Sequence, residues 1–209
     1  MKIAILGATG KTGGHAMRIA LAAGHSVRVL VRDPTKIAGQ EVLEVVGGDA
    51  TSEASCAEVV AGCDAVIAAI GPPHLKKTTL RQDIGKALVP AMKAKGVKRV
   101  VWLSAIGVGD SKEQTRRTSF LVSRVFIPLV VKTTYIDVQA AEDVLLASGL
   151  DYVICRPPGL TDKQPTGVIE EVPLDKKLPR IRCTRADVAA WMVKAATVST
   201  FDRQAVTIC

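Results

Sequence analysis

The sequence predicts an α/β protein built on a doubly wound parallel sheet, and three observations carry that reading. Short aliphatic runs alternate with amphipathic stretches of helical length from residue 2 to about residue 156. Hydrophobic residues make up 48% of the 209 residues but aromatics only 3%, so the core is aliphatic, as in strands covered by helices on both faces. A glycine-rich turn, "LGATGKTGGH" at 6–15, directly follows the first aliphatic run.

The elements follow in order. Lys2–Leu6 reads as a strand, Lys11–Ala23 as a helix, Ser26–Val31 and Val42–Val46 as strands. Ser52–Ala61 reads as a helix and Ala65–Ile70 as an apolar strand. Thr78–Lys95 is a helix with Leu80, Ile84, Leu88, Ala91 and Met92 along one side. Arg99–Leu103 is a strand, Thr134–Ala147 a helix and Tyr152–Cys155 a strand. The glycines of "AAGH" (22–25), "AGCD" (61–64), "AKGVK" (94–98) and "ASGLD" (147–151) each follow a helix, where a left-handed cap is wanted. From Pro157 the pattern loosens. "RPPGLTDKQPTG" reads as a long loop, "KKLPRIRC" as a short strand, Arg185–Thr197 as a helix and Gln204–Cys209 as a last strand. One domain over 1–209 is expected, with a regular core at 1–156 and a small irregular substrate-side lobe at 157–209.

The turn at 6–15 contains "GKT", which suggests a P-loop. That motif needs GxxxxGK[ST], which would put its first glycine at position 5, where Ile5 lies inside the strand. The loop is two residues too short to wrap a β-phosphate. A dinucleotide turn fits instead: Gly7 allows the tight turn, Gly10 lets the backbone approach a pyrophosphate, and Gly13 lets the helix pack close to the strand. The helix N-terminus then offers free N–H groups and a positive dipole to the phosphates. Thr9, Lys11 and Thr12 can add hydroxyl and ammonium contacts.

Strand two ends "VLVRD". An acidic residue about 20 residues beyond the turn takes an NAD ribose hydroxyl, whereas an arginine accommodates an NADP phosphate. Arg32 stands there, with Lys36 one turn on, and Asp33 reads as the cap of a short turn beginning at Pro34. NADP is therefore expected over NAD, with an ordinary exposed arginine as the alternative. Other strand ends point at the same crevice. Asp49 with Ala50 follows strand three, suited to an adenine amino group; Ile70 ends strand four and Gly71 follows it; Ser104 follows strand five, beside the expected nicotinamide. Ser104 is the candidate catalytic residue, with a satisfied loop hydroxyl as the alternative.

No apolar run reaches the ~18 residues of a membrane span, and Phe120–Val131 is interrupted by Arg124 and Pro128. No signal-peptide pattern opens the sequence. The five cysteines form no CxxC pair and no metal-like cluster with the three histidines, so no metal and a reducing, cytoplasmic setting are expected. The net charge is +8 and the pI about 9.4. Bases are spread without a dense run or interleaved aromatics, which fits an anionic small ligand or a solvated surface; no nucleic acid is expected.

The spacing GxxGxxG is the variant of short-chain and extended dehydrogenases. Together "KIAILGATGKTG", "VRDPTK", "VVGGDA", "AMKAKGVKRVVWLSA" and "LLASGLDYVICRPPGLTDKQPTG" resemble the atypical short-chain dehydrogenase/reductase group of NAD(P)-binding Rossmann proteins. Within it the likeness is to the biliverdin-IXβ reductase/flavin reductase family, with NmrA-like proteins nearby. It runs in order over roughly residues 2–170. It implies a monomeric, cytoplasmic, NADPH-dependent reductase passing hydride to flavins, linear tetrapyrroles or a similar planar acceptor. The family's cofactor residues carry over onto Gly7, Thr9, Gly10, Lys11, Thr12, Arg32, Lys36, Asp49, Gly71, Ser104 and Pro157. The acceptor is expected near Tyr135, Pro158, Gly159 and Leu160.

The sequence also departs from that pattern. The YxxxK pair that protonates a carbonyl is absent, since Tyr135 is followed at that spacing by Gln139 and Tyr152 by Arg156. Gly159 and Glu142 stand where the flavin reductases carry histidines. Hydride transfer to a stacked ring needs little general acid from the protein. A dinucleotide-sensing protein of NmrA type, without catalysis, is the alternative reading.

Overall fold

Every residue of the first strand, β1 (Lys2–Leu6), is buried except the half-buried Lys2, and its side chains divide between two cores. Ile3 and Ile5 join one cluster and Ala4 and Leu6 the other, so both faces of the sheet are covered. The computed structural model describes residues 1–37, 44–72, 76–119, 121, 123–125, 132–201 and 203–209. After β1 come β2 (Ser26–Val31), β3 (Glu44–Gly47), β4 (Ala65–Ala68), β5 (Arg99–Leu103), β6 (Asp151–Arg156), β7 (Gly159–Thr161), β8 (Arg182–Thr184) and β9 (Gln204–Thr207). The main sheet has the order β3-β2-β1-β4-β5-β6-β9 and is parallel throughout. This is the expected doubly wound Rossmann sheet, with its order reversing between β1 and β4.

The helices are α1 (Lys11–Ala22), α2 (Glu53–Val60), α3 (Leu80–Ala94), α4 (Ser111–Thr118), α5 (Lys132–Leu146) and α6 (Arg185–Thr197). α1 and α6 pack together in the core that holds Ile3 and Ile5, while α2, α3 and α5 follow one another over the other face. The four glycines expected as helix caps all take left-handed backbone, from φ +68° at Gly62 to +78° at Gly24.

Several boundaries differ from the sequence reading. β4 ends at Ala68 because the chain turns off the sheet beyond it, although the Ala69 amide still reaches the Leu6 carbonyl at 3.0 Å. The strand expected at 42–46 runs from Glu44 to Gly47, and its residues 42 and 43 lie outside the described residues. Of the apolar run 120–131, Leu121 and 123–125 are described.

Helix α4 is not anticipated by the sequence. Its buried residues are Ser111, Gln114 and Thr115, so it shows no apolar period. Gln114 donates through Nε2 to the carbonyls of Pro173 (2.9 Å) and Lys176 (3.2 Å), and the Leu178 amide donates to Thr118 Oγ1. A polar helix thus pins the 172–178 segment.

The tail expected as a lobe is divided by the structure. α6 and β9 belong to the layers of the main sheet, β9 pairing with β6 from Val153↔Gln204 to Arg156↔Thr207. The long loop contains β7, which pairs in parallel with β8, and β8 begins later than "KKLPRIRC" suggests. The last strand stops at Thr207, after which Cys209 and Glu170 exchange backbone hydrogen bonds of 2.8 and 2.9 Å.

Candidate functional site

Where the strand order reverses, the carboxyl ends of β1 and β4 diverge and leave a groove of about 390 Å3. Its walls contain Gly7, Thr9 and Gly10 from the first turn, Arg32 from the end of β2, Asp49 and Ala50 after β3, and Ile70 and Gly71 after β4. Leu30, Leu80 and Ile84 add apolar surface. These expected residues from four separated stretches of chain therefore meet in one place.

The turn is built as the glycine spacing requires. Gly7 sits at φ +91°, and a Cβ there would lie 2.5 Å from the Ala69 carbonyl oxygen. A Cβ on Gly13 would come within 2.1 Å of the Gly7 carbonyl oxygen, so the helix lies directly against the turn. Gly10 is the N-cap of α1 and has no side chain to cover the first amides. Thr12 and Gly13 are buried in the first turn of the helix. Lys11 is exposed and pairs with Asp162 at 2.5 Å; that carboxylate also holds Arg185 at 2.6 Å.

At the end of β2, Asp33 Oδ1 accepts from the amide (3.1 Å) and hydroxyl (2.6 Å) of Thr35, the expected cap of the turn at Pro34–Ile37. Arg32 and Lys36 are exposed, and Arg32 holds no ion pair among the described residues. Asp49 Oδ1 accepts from the Thr51 amide (2.8 Å) and hydroxyl (2.7 Å). Those two bonds, with the charge of Arg32 nearby, hold its carboxyl below the usual range.

Ser104 lies outside the walls of this groove, as do Lys36, Tyr135, Pro157, Pro158, Gly159 and Leu160. The Ser104 amide donates to the Cys155 carbonyl at 2.8 Å, and the Ile106 amide to that of Pro157 at 3.0 Å, so the chain beyond β5 is stitched to that beyond β6. Ser104 Oγ donates to Glu142 Oε1. Glu142 also accepts from Arg156 Nε (3.0 Å) and Nη2 (2.7 Å), while Arg156 Nη1 reaches Asp110. Glu142 is fully buried and Arg156 only 2% exposed. Burial alone would lower the Arg156 pKa, but the bonds to Glu142 and Asp110 overcome it and the pKa is raised. Glu142 thus balances a buried guanidinium, and Ser104 is tied into that pair.

Gln139, at the lysine position of YxxxK, accepts the Gly109 amide at 2.6 Å through Oε1. Burial pushes the Tyr135 phenol up to about 12, and no cation offsets it. Carbonyl protonation by that tyrosine is disfavoured, as its sequence context implies.

The sequence reading missed Arg81. Its guanidinium lies against Gly71, where a Cβ would be 2.7 Å from Nη2. Asp137 Oδ2 accepts from Arg81 Nη1 at 3.4 Å, and its two oxygens also accept the Arg81 and Gln82 amides, capping α3 from α5. Burial lowers the Arg81 pKa, which Asp137 offsets only in part. The cation therefore sits beside Gly71 of the groove wall, and among the described residues Asp137 is its one side-chain partner. No local motif announces it, because Asp137 is 56 residues away. Arg156 did carry a signal: a charge at the end of the buried run "YVIC" demands a buried partner.

Among the described residues no group of His, Cys, Asp and Glu could hold a metal ion, and no helix is long and apolar enough to cross a membrane.

Comparison with known proteins agrees with this geometry. A family model described as NAD(P)H-binding matches residues 7–198. The chain is 29% identical over 201 residues to YhfK, an uncharacterized sugar epimerase of Bacillus subtilis (strain 168), covering 92% of this chain and 86% of that protein. Among solved structures, ChuY, an anaerobillin reductase from Escherichia coli O157:H7, superimposes with a TM-score of 0.80 at 25% identity, covering 100% of this chain and 96% of that one. A short-chain dehydrogenase/reductase from Veillonella parvula DSM 2008, solved in complex with NADP, gives 0.79 at 18% identity and shares the fold, covering 99% of this chain and 93% of that one.

Proposed function

This chain belongs to the NAD(P)H-binding family, and from that premise we propose that it is an NADPH-dependent reductase of a planar acceptor such as a flavin or a linear tetrapyrrole. The observation that carries the choice of cofactor is Arg32. It stands exposed at the end of β2 and holds no ion pair among the described residues, although its charge is felt at Asp49, while the neighbouring carboxylate of Asp33 is bound to Thr35.

The residues present fit a dinucleotide. The cradle of Gly7, Gly10 and Gly13 has no room for a Cβ at its two tightest points and leaves the first amides of α1 uncapped. Those amides, with Lys11, Thr9 and Thr12, would hold the pyrophosphate; Arg32 and Lys36 would hold the 2′-phosphate. Asp49 and Ala50 would border the adenine, and Ile70, Gly71, Ser104 and Pro157 the nicotinamide end. A bound nicotinamide supplies the hydride. The chain's part is to orient the acceptor beside it, between Tyr135 and residues 158–160, and to exclude water. Arg81, a cation beside Gly71, suits an acceptor or cofactor group with negative charge.

The anaerobillin reductase among the similar structures supports this reductase reading. The epimerase in the name of the Bacillus relative is not carried over, because Tyr135 has no lysine to activate it. We place the substrate-side segment at residues 157–184 of a single-domain, monomeric protein. Its five cysteines, all buried free thiols, suit a reducing cytoplasm. The test is NADPH oxidation followed by absorbance with FMN, riboflavin, biliverdin and a quinone; no turnover above background with any of them would sink the proposal.

One observation favours a second reading. With Ser104 donating to Glu142 and Tyr135 unactivated, no acid is ready for transfer, as in an NmrA-like sensor of NAD(P). That reading expects similar affinity for oxidised and reduced cofactor and no acceptor chemistry.

A further inference from the structure

Between the β7–β8 ribbon and the start of α6 lies a second hollow of about 240 Å3, which shares no wall residue with the dinucleotide groove. Three cations line it: Lys163, Arg180 and Arg182. The side chains of Lys163 and Arg182 make no ion pair or hydrogen bond among the described residues. Arg180 donates to the Cys209 carbonyl at 3.1 Å and stands 4.0 Å from Glu170.

The neighbouring carboxylates are committed elsewhere. Asp187, the acid in the wall, accepts from the Thr166 amide and hydroxyl, the Gly167 amide and the Thr184 hydroxyl, all at 2.7–3.0 Å. Asp162, next to Lys163 in sequence, is taken by Lys11 and Arg185. Asp187 keeps its charge in the wall and Arg180 has Glu170 beside it, so Lys163 and Arg182 are the bases that face the shared space without an ion pair among the described residues. The rest of the wall is mixed: Thr161, Gln164, Thr166 and Thr184 are polar, and Val168, Cys183 and Cys209 supply its apolar part. A water occupies about 30 Å3 in the liquid, so the hollow has room for about eight waters, or a molecule of similar size.

We propose that this hollow binds a small organic oxyanion, a carboxylate or phosphate ester with a short apolar body. Lys163, Arg180 and Arg182 take the charged end; an arginine fork matches two oxyanion oxygens at once. Val168 and the two thiol-bearing residues take the apolar end. The site stands independently of hydride transfer and of the cofactor assignment.

The test is titration calorimetry at fixed ionic strength, set with sodium chloride, using benzoate, phenyl phosphate and inorganic phosphate as probes. Benzoate or phenyl phosphate is expected to bind the wild type, and the preferred one identifies the headgroup. The Lys163→Ala/Arg182→Ala double variant, changed only at exposed positions, is expected to weaken that binding at least about tenfold, the scale of one charge-assisted hydrogen bond. Arg32→Ala is expected to bind as wild type does. Amide shifts confined to residues 161–168 and 180–187 locate the probe in the wild type without any variant. No binding, equal binding by the double variant, loss in Arg32→Ala instead, or shifts at the dinucleotide groove would each overturn the proposal. So would inorganic phosphate binding as tightly as phenyl phosphate, since the hollow would then read no apolar body.

Discussion

Replacing Arg32 by alanine tests the cofactor assignment at a single atom group. A charge-assisted hydrogen bond contributes about 1.5–3 kcal/mol, or about 10- to 150-fold in affinity. Arg32 is exposed, so solvent screens the contact and the lower part of that range applies. The expected result is an NADPH dissociation constant raised about 10- to 30-fold, with that for NADH changed less than about twofold. Fluorescence titration of wild type and variant with both cofactors measures it. The gap between the two cofactors should also narrow as salt rises from ~0.05 to ~0.5 M, since the Debye length falls well below 10 Å. Adding Lys36→Ala should widen the loss for NADPH alone. Equal weakening of both cofactors, or none, would refute the reasoning: Arg32 would then be an ordinary surface base.

Three further outcomes follow from the geometry. Gly13→Ala forces a methyl to 2.1 Å from the Gly7 carbonyl oxygen, so α1 must shift; about 2–3 kcal/mol of stability and most cofactor affinity should be lost, a fall in Tm of roughly 4–12 °C. Glu142→Ala leaves Arg156 buried with only Asp110 as partner, which should cost about 3–5 kcal/mol in urea unfolding; Glu142→Leu with Arg156→Met should recover most of it, and a failure to recover would show that the pair does more than balance charge. Burial alone would raise the Asp187 pKa, but its bonds to Thr166, Thr184 and Gly167 win and hold it below the ordinary 3.8. A depressed folded-state pKa gives stability that is full above the unfolded value and drains as pH falls through the folded one, so Asp187→Asn should flatten the loss seen below about pH 4 in acid titrations by circular dichroism.

What the sequence shows are features whose causes are local. Gly10 and Gly13 announce the turn because a Cβ on either would crowd the Gly7 carbonyl oxygen a few residues away, and Gly7 and the four helix-ending glycines are legible because their positive φ is a local demand of the backbone. The central strands β1, β4 and β5 are legible because both their faces are buried, which leaves short unbroken aliphatic runs. Helix α4 escapes because its buried side is Ser111, Gln114 and Thr115, of which Gln114 is held by carbonyls about 60 residues away. The tail misleads because its helix and last strand follow an irregular stretch, yet their partners, α1 and β6, lie far back in the chain. In the site, the residues at strand ends are found because topology alone brings strand ends together. Arg81 with Asp137, and Lys11 with Asp162, are pairs across 56 and 151 residues, and no window of sequence contains both members.

The packing of α6 on α1 also has a consequence for the order in which the chain is made. Helix α1 ends at Ala22 and its cover begins at Arg185, about 160 residues later. At a synthesis rate of about 5–20 residues per second, the flank of α1 that meets α6 waits roughly 8–30 s for its partner. During that interval Ala16, Met17 and Ala20, all fully or almost fully hidden in the finished protein, belong to a helix whose neighbour does not yet exist. Helix α1 is therefore sealed long after it is made, and until then the flank that meets α6 is open to chaperones and to other half-made chains.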